Sequence, residues 1–358
     1  MKSVSVIIPA YKPDEKMLHT LETLIQTGFT DILVVDDGSG EEFSPIFEQV
    51  KTIPQCTLLR HPVNRGKGAA LKTAMTFFLD NRPEQAGVVT ADADGQHLPE
   101  DIAATAQAML EHNTVVLGCR DFSLPHVPST SRAGNRITIA VFRLFFGMKV
   151  SDTQTGLRAF PRDTLPMIMT AKGDRYEFET YMLFLMNQHK IPFNEVKIST
   201  VYIEENKSSH FHKVRDSLRI YALIIKYLIS SIIATVLDQG IFFLLKLLLG
   251  SVASILFIPS TFIAAFAGRI VSSIVNYLIN AKVVFEEQTG KTTLIRYYIL
   301  AMGQILVSAC AVFLLENVFS IHSAFICTLV KIIVDILLFF FSFRIQHQWV
   351  FKRNAPKH

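Results

Sequence analysis

The segment VVTADADGQHLPED, residues 88–101, places two aspartates one residue apart directly after a short apolar run. Alternate side chains of an extended segment point to the same face, so Asp92 and Asp94 can bind one cation together, and Gln96 continues that face. Carboxylate oxygens suit Mg²⁺ or Mn²⁺, which often bind together with substrate phosphates. Such an ion would neutralise charge on the leaving group of a nucleotide-diphosphate substrate. Aspartates also favour turns, so the metal interpretation depends on the strand before the motif and the helix after it.

Two earlier loops predict a nucleotide pocket. Pro9, Ala10 and Tyr11 follow the first apolar run and would offer backbone groups and an aromatic face to a base. Asp36 and Asp37 follow the second run and would accept hydrogen bonds from the base or the ribose. The alternative is that Asp37 only begins a turn in the sequence DGS.

The segment NRGKGAAL, residues 64–71, predicts an anion site. Arg65 and Lys67 lie among glycines where a helix begins, and the N-terminus of a helix attracts anions. Surface basic residues without a role are the alternative interpretation. No GxGxxG sequence follows the first strand, which argues against an enzyme with a nicotinamide or flavin cofactor.

Alternating strands and helices must position these segments. Helical spacing of apolar residues predicts helices from Asp14 to just before Gly28 and at about residues 68–79 and 99–112. Apolar runs predict strands at residues 4–8, 32–35, 56–59, 87–90, 114–117 and 196–203. This order predicts an α/β unit with a mostly parallel, Rossmann-like sheet and helices on both faces. Ligands of such sheets bind beyond the carboxyl ends of the strands, so the loops should meet at one edge.

Composition excludes several classes of protein. The net charge is only +4 and no block rich in Lys or Arg is present, so no nucleic acid partner is expected. Four cysteines lie far apart without a CxxC pair, which predicts neither a zinc site nor a disulfide framework. The apolar run near the N-terminus is too short for a signal peptide, and we expect a strand there.

From about residue 221 onward, charges become sparse and four apolar runs reach the roughly 20 residues that cross a bilayer. We expect spans at residues 227–249, 255–279, 297–318 and 324–343. Basic residues lie before the first run, between the second and third, and after the fourth, whereas the other two loops contain no Lys or Arg. The positive-inside rule therefore predicts that both termini and the α/β unit are cytoplasmic, at the cell (plasma) membrane. The basic segment 209–226 would contact membrane lipids at the surface.

Polar side chains inside the predicted spans would be penalised by lipid and should face the interior of the helix bundle. They either line a path for a charged headgroup or pair with one another to hold the helices together. These residues are Asp238, Arg269, Asn276, Asn280, Lys331 and Asp335.

Seven segments of the first part, in this order, resemble family 2 glycosyltransferases with the GT-A fold, in the branch that acts on polyprenyl phosphates. The resemblance implies inverting transfer of a sugar from a nucleotide-sugar, UDP- or GDP-linked, to a lipid phosphate such as undecaprenyl phosphate. The segments are SVIIPAY, VVDDGS, NRGKGAAL, ADADGQHLPEDI, SRAGNR, DTQTGLRAF and YEFE.

The resemblance also implies roles for individual residues. Asp92, Asp94 and Gln96 match the metal site, Pro9 and Asp37 the nucleotide pocket, and Arg120 an arginine that approaches the phosphates. Glu177 and Glu179 in YEFE fall where relatives carry acidic residues, as a base or as ion-pair partners of Arg158 or Arg175. Three residues match the segment that binds the acceptor phosphate: Arg132, Asn135 and Arg136.

The basic end of that segment leads into ITIAVFRLFFGM, which predicts an apolar stripe for the lipid chain. The alternative is a core helix, which is favoured for Phe142, Phe145 and Phe146 taken alone.

The apolar part resembles the GtrA-like family of four-span membrane proteins, which is associated with the movement of polyprenyl-linked sugars across membranes. The chain is thus predicted to contain a GT-A unit (residues 1–208), a basic interfacial segment (209–226) and an all-α four-helix transmembrane unit (227–353). The sugar, and whether the protein forms a homo-oligomer, stay open.

Two other functions are weighed against this one. A processive polysaccharide synthase would need a QxxRW motif, which only residues 346–349 approach, and without the arginine. A transporter or scaffold with an inactive transferase unit is disfavoured by the intact Asp92, Asp94, Arg120 and Arg132.

Overall fold

The computed structural model describes residues 1–125, 127–199, 213–249, 254–255, 258–285, 290–317 and 324–351. The chain divides into two units, Met1–Ser217 and Leu218–His358. The first is built around a sheet and the second is mainly helical. The domain boundary predicted at residue 208 lies outside the described residues.

Within the described part of the first unit, seven strands form one sheet in the order β3-β2-β1-β4-β6-β5-β7. β1 pairs in parallel with β2 and with β4, β2 pairs in parallel with β3, and β5 with β7. The strands are β1 (Val4–Ala10), β2 (Ile32–Asp36), β3 (Cys56–Arg60), β4 (Gly87–Thr90), β5 (Val115–Arg120), β6 (Arg158–Pro161) and β7 (Phe193–Ile198).

β6 is a strand that the sequence pattern does not predict. It runs antiparallel to both of its neighbours, β4 and β5. Its four residues, RAFP, include a charged residue and a proline, so they do not form the apolar run from which a buried strand is recognised. The prediction of a mostly parallel sheet is confirmed, with β6 as an antiparallel insertion.

The helices that the periodicity predicts, from Asp14 to just before Gly28 and at about residues 68–79 and 99–112, are present, and further helices that it does not predict lie between the other strands. Asp14 caps the first helix by accepting a hydrogen bond from the Lys16 backbone N–H at 3.0 Å. α3 packs on β1 and β2, whereas α4 packs on β5, β6 and β7. The helices are α1 (Glu15–Gln26), α2 (Ser44–Thr52), α3 (Lys67–Asn81), α4 (Pro99–His112), α5 (Ser129–Val141), α6 (Leu165–Ile168) and α7 (Glu177–His189).

The second unit contains the helices α8 (Lys213–Leu249), α9 (Ser260–Ile279), α10 (Lys291–Asn317) and α11 (Ala324–Ile345). Each corresponds to one predicted span, and α8 also covers the described part of the basic segment without a break. The prediction of a helical second unit is confirmed, and β8 (Ser254–Ile255) and β9 (Ile258–Pro259) add a short antiparallel hairpin before α9. Among the described residues, one helix segment, Ile224–Leu245, is both long and apolar enough to cross a membrane.

Two helices of this unit end in the same way. α9 continues into the π-helical turn Asn280–Val284, and α11 into the π-helical turn Gln346–Val350. Their sequences, INAKVVF and IQHQWVF, share the first residue and the final Val-Phe. The two phenylalanine rings, Phe285 and Phe351, stack with centroids 5.0 Å apart.

The amides that open these two turns are buried and bonded to each other. Asn280 Nδ2 donates to Gln346 Oε1 at 3.0 Å, and Asn280 Oδ1 accepts from Ser230 Oγ at 2.6 Å. Gln346 Nε2 donates to the hydroxyls of Ser342 at 3.0 Å and Tyr227 at 3.3 Å. This polar network ties α8 to the ends of α9 and α11 where the surroundings are otherwise apolar.

We expect Gln346→Met to destabilise the second unit because it leaves the Asn280 amide and the Tyr227 hydroxyl without this partner. Interhelical hydrogen bonds contribute about 0.6 kcal/mol each on average, so the loss should be about 1–2 kcal/mol. Thermal unfolding in detergent, followed by the fluorescence of the single tryptophan, Trp349, measures it. Gln239→Met, at an exposed position on α8, is the matched control. Equal midpoints for the two variants would contradict a stabilising role for the network.

Candidate active site

The ends of β1, β2 and β4 meet at one edge of the sheet. Ala10 lies opposite Asp36 in the parallel ladder, and the backbone N–H of Asp37 donates to the Ala10 carbonyl at 2.8 Å. On the other side of β1, the Ala91 N–H donates to the Ile7 carbonyl at 3.0 Å. The predicted convergence of the three loops is therefore confirmed.

A largely buried ammonium group lies between two carboxylates at this edge. Lys67 Nζ is 2.6 Å from Asp92 Oδ1 and 2.9 Å from Glu179 Oε1. The cluster joins the first residue of α3, the segment after β4 and the first turn of α7. Burial opposes the charge on Lys67, but the two carboxylates outweigh it and raise the pKa of Lys67.

Asp92 is held as a carboxylate. Burial alone would raise its pKa, but Lys67 and the other nearby cationic groups lower the pKa of Asp92 to about 2. Its backbone N–H donates to His97 Nδ1 at 3.1 Å. The opposite side is formed by Gly156, where an added Cβ would lie 2.6 Å from Asp92 Oδ2. A side chain at position 156 would therefore displace the carboxylate.

Asp94 differs from Asp92 in its electrostatic surroundings. Burial and the negative charge of Asp92 together raise the pKa of Asp94 to about 6. Asp94 Oδ1 accepts from the Gln96 backbone N–H at 3.0 Å, so Asp94 does form a turn, which was the alternative to a metal site. The turn and the proposed metal site are compatible. The donor set suits a divalent cation, since the negative charges of Asp92 and Asp94 act on each other and carboxylate oxygens are ligands of such ions.

The loop before Lys67 is shaped by Asp37. Its carboxylate accepts from the backbone N–H groups of Arg65 at 2.9 Å and Gly66 at 2.7 Å, and lies 2.7 Å from His61 Nδ1. Gly66 has φ +102°, and an added Cβ would lie 2.4 Å from the Asp174 carbonyl oxygen, so only glycine fits. Asp37 is buried and positions the predicted anion loop.

The remaining residues of the predicted nucleotide pocket line the same edge. Pro9 and Tyr11 are half-buried, whereas Ala10 is fully buried. Asp36 accepts from the Ser39 N–H at 2.9 Å and lies 3.6 Å from Arg60 Nε.

Arg120, at the end of β5, is fixed by a fully buried carboxylate. Asp152 accepts from Arg120 Nε at 2.7 Å and from Nη2 at 3.1 Å, a bidentate pair that sets the plane of the guanidinium. Asp152 also accepts from the Gln154 backbone N–H at 3.0 Å. The arginine is thus held in place, with its side chain about a quarter exposed.

The predicted acceptor segment forms α5, but its three residues differ in environment. Arg136 is exposed. Arg132 donates to the carbonyls of Phe122 at 2.9 Å and Leu124 at 3.0 Å. Asn135 is buried and donates to the Ser151 carbonyl at 3.0 Å, so it does not lie with Arg136 on the exposed surface.

The apolar stripe after α5 is largely core. Phe142, Phe145 and Phe146 are buried, and Phe146 stacks on Phe184 of α7 with centroids 4.1 Å apart. The core-helix alternative is therefore confirmed for these phenylalanines.

Glu179 has a definite partner, and it is neither of the predicted arginines. Its carboxylate pairs with Lys67, whereas buried Arg158 donates from Nη1 to the Glu179 backbone carbonyl at 2.6 Å. Arg175 instead donates to Asn64 Oδ1 at 3.4 Å. The expected ion pair with an arginine is replaced by one with the lysine.

In the second unit, two of the predicted polar residues form an ion pair. Arg269 Nη2 lies 3.3 Å from Asp238 Oδ2. Asp238 is buried as predicted, but the Arg269 side chain is 72% exposed, so the prediction that Arg269 faces the interior of the bundle is wrong. Asn276 Nδ2 donates to the Tyr297 hydroxyl at 3.0 Å. The side chains of Lys331 and Asp335 lie outside the described part of the chain.

Sequence reasoning missed three side chains of the site: Asp152, His61 and His97. Asp152 begins DTQTGLRAF and His97 lies within ADADGQHLPEDI, so the resemblance could have indicated both. His61 carries no local signal because its partner, Asp37, lies 24 residues away in the sequence.

Comparison with known proteins adds two family matches and several relatives. Residues 5–167 match glycosyl transferase family 2, and residues 226–351 match the GtrA/DPMS transmembrane domain. A similar uncharacterized protein of Methanocaldococcus jannaschii is 34% identical over 210 residues, 57% of this chain and 84% of that protein.

Two further relatives are named as transferases that act on dolichyl phosphate. The UDP-N-acetylglucosamine–dolichyl-phosphate N-acetylglucosaminyltransferase of Methanococcus voltae is 28% identical over 221 residues, 57% of this chain and 87% of that protein. The dolichyl-phosphate beta-glucosyltransferase of Homo sapiens is 23% identical over 236 residues, 58% of this chain and 69% of that protein.

We expect Asp37→Ala to loosen the loop before Lys67, because two backbone donors and His61 lose their acceptor. An unsatisfied buried donor costs about 1–3 kcal/mol, enough to speed local opening by roughly tenfold or more. Amide hydrogen exchange of the peptide covering residues 61–70 measures the change. Asp163→Ala, at an exposed aspartate, is the control. Unchanged exchange in Asp37→Ala would show that the loop is held by other contacts.

Proposed function

The chain belongs to glycosyl transferase family 2, and on that premise we propose that it transfers a sugar from a nucleotide-sugar to a polyprenyl phosphate at a membrane surface. The GtrA/DPMS domain makes the chain a membrane protein. The observation that carries the proposal is the meeting of Lys67, Asp92, Asp94 and the fixed Arg120 around one edge of a GT-A sheet. Relatives named as dolichyl-phosphate glycosyltransferases support the lipid phosphate as acceptor.

The donor would lie over the ends of β1, β2 and β4, with its base near Pro9 and Tyr11. Asp92 and Asp94, with Gln96 beside them, would hold Mg²⁺ or Mn²⁺. Among the described residues, no group of three or more His, Cys, Asp or Glu side chains is placed to hold a metal. Two carboxylates leave coordination positions for diphosphate oxygens, which is the usual arrangement for Mg²⁺ with a nucleotide. When bound, the ion stabilises negative charge on the departing nucleotide diphosphate.

The protein contributes positive charge to the same step. Arg120 is oriented by Asp152, so it loses no conformational freedom when an anion approaches. Lys67 contributes a second cation at the start of α3, where the helix N-terminus also favours anions. These groups are arranged for the charge that develops as the sugar–phosphate bond breaks.

The acceptor needs little activation. A lipid phosphate is already anionic near neutral pH, so its oxygen can attack the anomeric carbon while the nucleotide diphosphate leaves from the opposite side, inverting the configuration. Glu179 is bound to Lys67, which supports a positioning role over that of a base. Arg136, exposed on α5, would meet the acceptor phosphate, while Arg132 holds the adjoining loop.

The proposed topology has four spans with both termini and the transferase unit cytoplasmic, which places the active site beside the nucleotide-sugar pool. Residues 346–349 approach the QxxRW motif of a processive polysaccharide synthase, but their structure does not support that function. Gln346 lies in the polar network of the helical unit and not in the transferase unit.

We expect purified protein to transfer sugar from one member of a nucleotide-sugar panel to a polyprenyl phosphate, and Asp94→Asn to reduce the rate by roughly two orders of magnitude or more. Excess chelator should have the same effect on wild type, and restoration with Mg²⁺ or Mn²⁺ identifies the preferred ion. Asp174→Asn, at an exposed aspartate paired with Lys72, should retain activity. Full activity in excess chelator would overturn the metal assignment, and no transfer from any donor would overturn the proposed reaction.

The second unit has two candidate roles, translocation of the product and assembly of the membrane anchor. The Asp238–Arg269 ion pair suits both, because it balances charge along a headgroup path and also joins α8 to α9. We favour translocation because family association links such domains to lipid-linked sugars. Lys331 and Asp335 would extend the path.

For translocation, Arg269→Ala should leave synthesis on the outer, enzyme-exposed leaflet of proteoliposomes intact while slowing the appearance of sugar-lipid on the far leaflet by about tenfold or more. The synthesis rate in the same vesicles is the internal control. Unchanged movement of the lipid together with a lower melting temperature in detergent would assign the ion pair to assembly.

A further inference from the structure

The geometry points to Lys67 as a built-in counter-ion that competes with a divalent ion for Asp92, and to Glu179 as the second carboxylate that retains the lysine when the ion binds. This inference rests on the proposed metal site at Asp92 and Asp94. It makes Lys67 and Glu179 positioning residues that set metal affinity through Asp92.

The distances define the competition. Lys67 Nζ lies 2.6 Å from Asp92 Oδ1, within direct bonding distance of an oxygen that a divalent ion would also need. Two cations that share one carboxylate repel each other strongly in a buried site, where the effective dielectric constant is low. Binding of the ion must therefore weaken or break the contact between Lys67 and Asp92.

Glu179 gives the displaced ammonium a place to remain. Glu179 Oε1 lies 2.9 Å from Lys67 Nζ, and its side chain is only 11% exposed. A buried lysine without a carboxylate would be costly, so in the absence of Glu179 the lysine would hold more tightly to Asp92. The presence of Glu179 lowers the cost of releasing Asp92 to the metal.

The backbone at Lys67 is constrained, so the Lys67 side chain must move when Asp92 binds the metal. Asp37 fixes the N–H groups of Arg65 and Gly66, and Gly66 has no room for a side chain. Gly68 is equally confined, since an added Cβ would lie 2.6 Å from Phe178 Cβ. Rotation of the four-carbon stem of Lys67 between Asp92 and Glu179 is the motion that these constraints leave.

The competition has opposite consequences for the two positions. Lys67→Met removes the competing cation and should tighten Mn²⁺ binding by about tenfold. Glu179→Gln leaves Asp92 as the main partner of Lys67 and should weaken Mn²⁺ binding by a similar factor. If Glu179 acts through Lys67, Glu179→Gln should have little effect in the Lys67→Met background, whereas a direct long-range charge effect would persist.

The experiment measures the dissociation constant of Mn²⁺ alone, from the electron paramagnetic resonance signal of the free ion, for full-length wild type, both single variants and the double variant in detergent. Lys72→Met, which removes an ion pair with exposed Asp174, is the matched control and should match wild type. Melting temperatures identify any variant that fails to fold. If Lys67→Met fails to fold, Lys67→Arg replaces it. Lys67→Arg keeps the positive charge and should bind Mn²⁺ as wild type does or more weakly.

The outcomes separate this inference from the function on which it rests. Mn²⁺ binding that is lost in Asp94→Asn but equal in wild type, Lys67→Met and Glu179→Gln overturns the counter-ion role and leaves the metal site in place. An additive effect of the two substitutions overturns the coupling through Lys67. Absence of Mn²⁺ binding in wild type and in Lys67→Met, both alone and with a nucleoside diphosphate present, overturns the metal site itself.

Discussion

The ammonium of Lys67 between the carboxylates of Asp92 and Glu179 is the interaction on which the site depends. Removal of charges from water is costly, so a largely buried ion pair persists only when the partners are closely placed. The contact therefore fixes α3, the end of β4 and the start of α7 relative to one another. It also puts positive charge beside the carboxylates that are proposed to hold a metal ion. Either the lysine or the metal ion can therefore balance the negative charge of these carboxylates.

Buried acids position the basic groups throughout the transferase unit. Asp37 holds the backbone of the loop that presents Lys67, and Asp152 holds the guanidinium of Arg120. In both cases the acid contributes no charge at the surface, because it is covered by the group that it orients. This arrangement suits a reaction in which the principal task is to stabilise a departing diphosphate, since preorganised cations need not reorient as charge develops.

The helical unit uses a different principle, because apolar packing alone distinguishes poorly between helix registers in lipid. Asn280 and Gln346 open two equivalent π-helical turns and bond to each other, while Phe285 and Phe351 stack beside them. The two amide groups have few other hydrogen-bond partners in apolar surroundings. They define how the ends of α9 and α11 meet and leave the Asp238–Arg269 pair to a separate part of the unit.

The sequence by itself determined the order of strands and helices, the convergence of three loops and the family, because apolar periodicity and short motifs are local properties of the chain. α4 begins and ends where its apolar pattern predicts. The four residues of β6 do not form an apolar run, so β6 is not predicted, and its pairing with β4 and β5 makes it a strand. Tertiary structure alone decided that Glu179 binds Lys67 and that Asp152 orients Arg120. It also placed Asn135 in the interior although its motif resembles an acceptor site. Ion pairs between residues far apart in sequence depend on angstrom-scale placement by the whole sheet, and no local pattern encodes that distance.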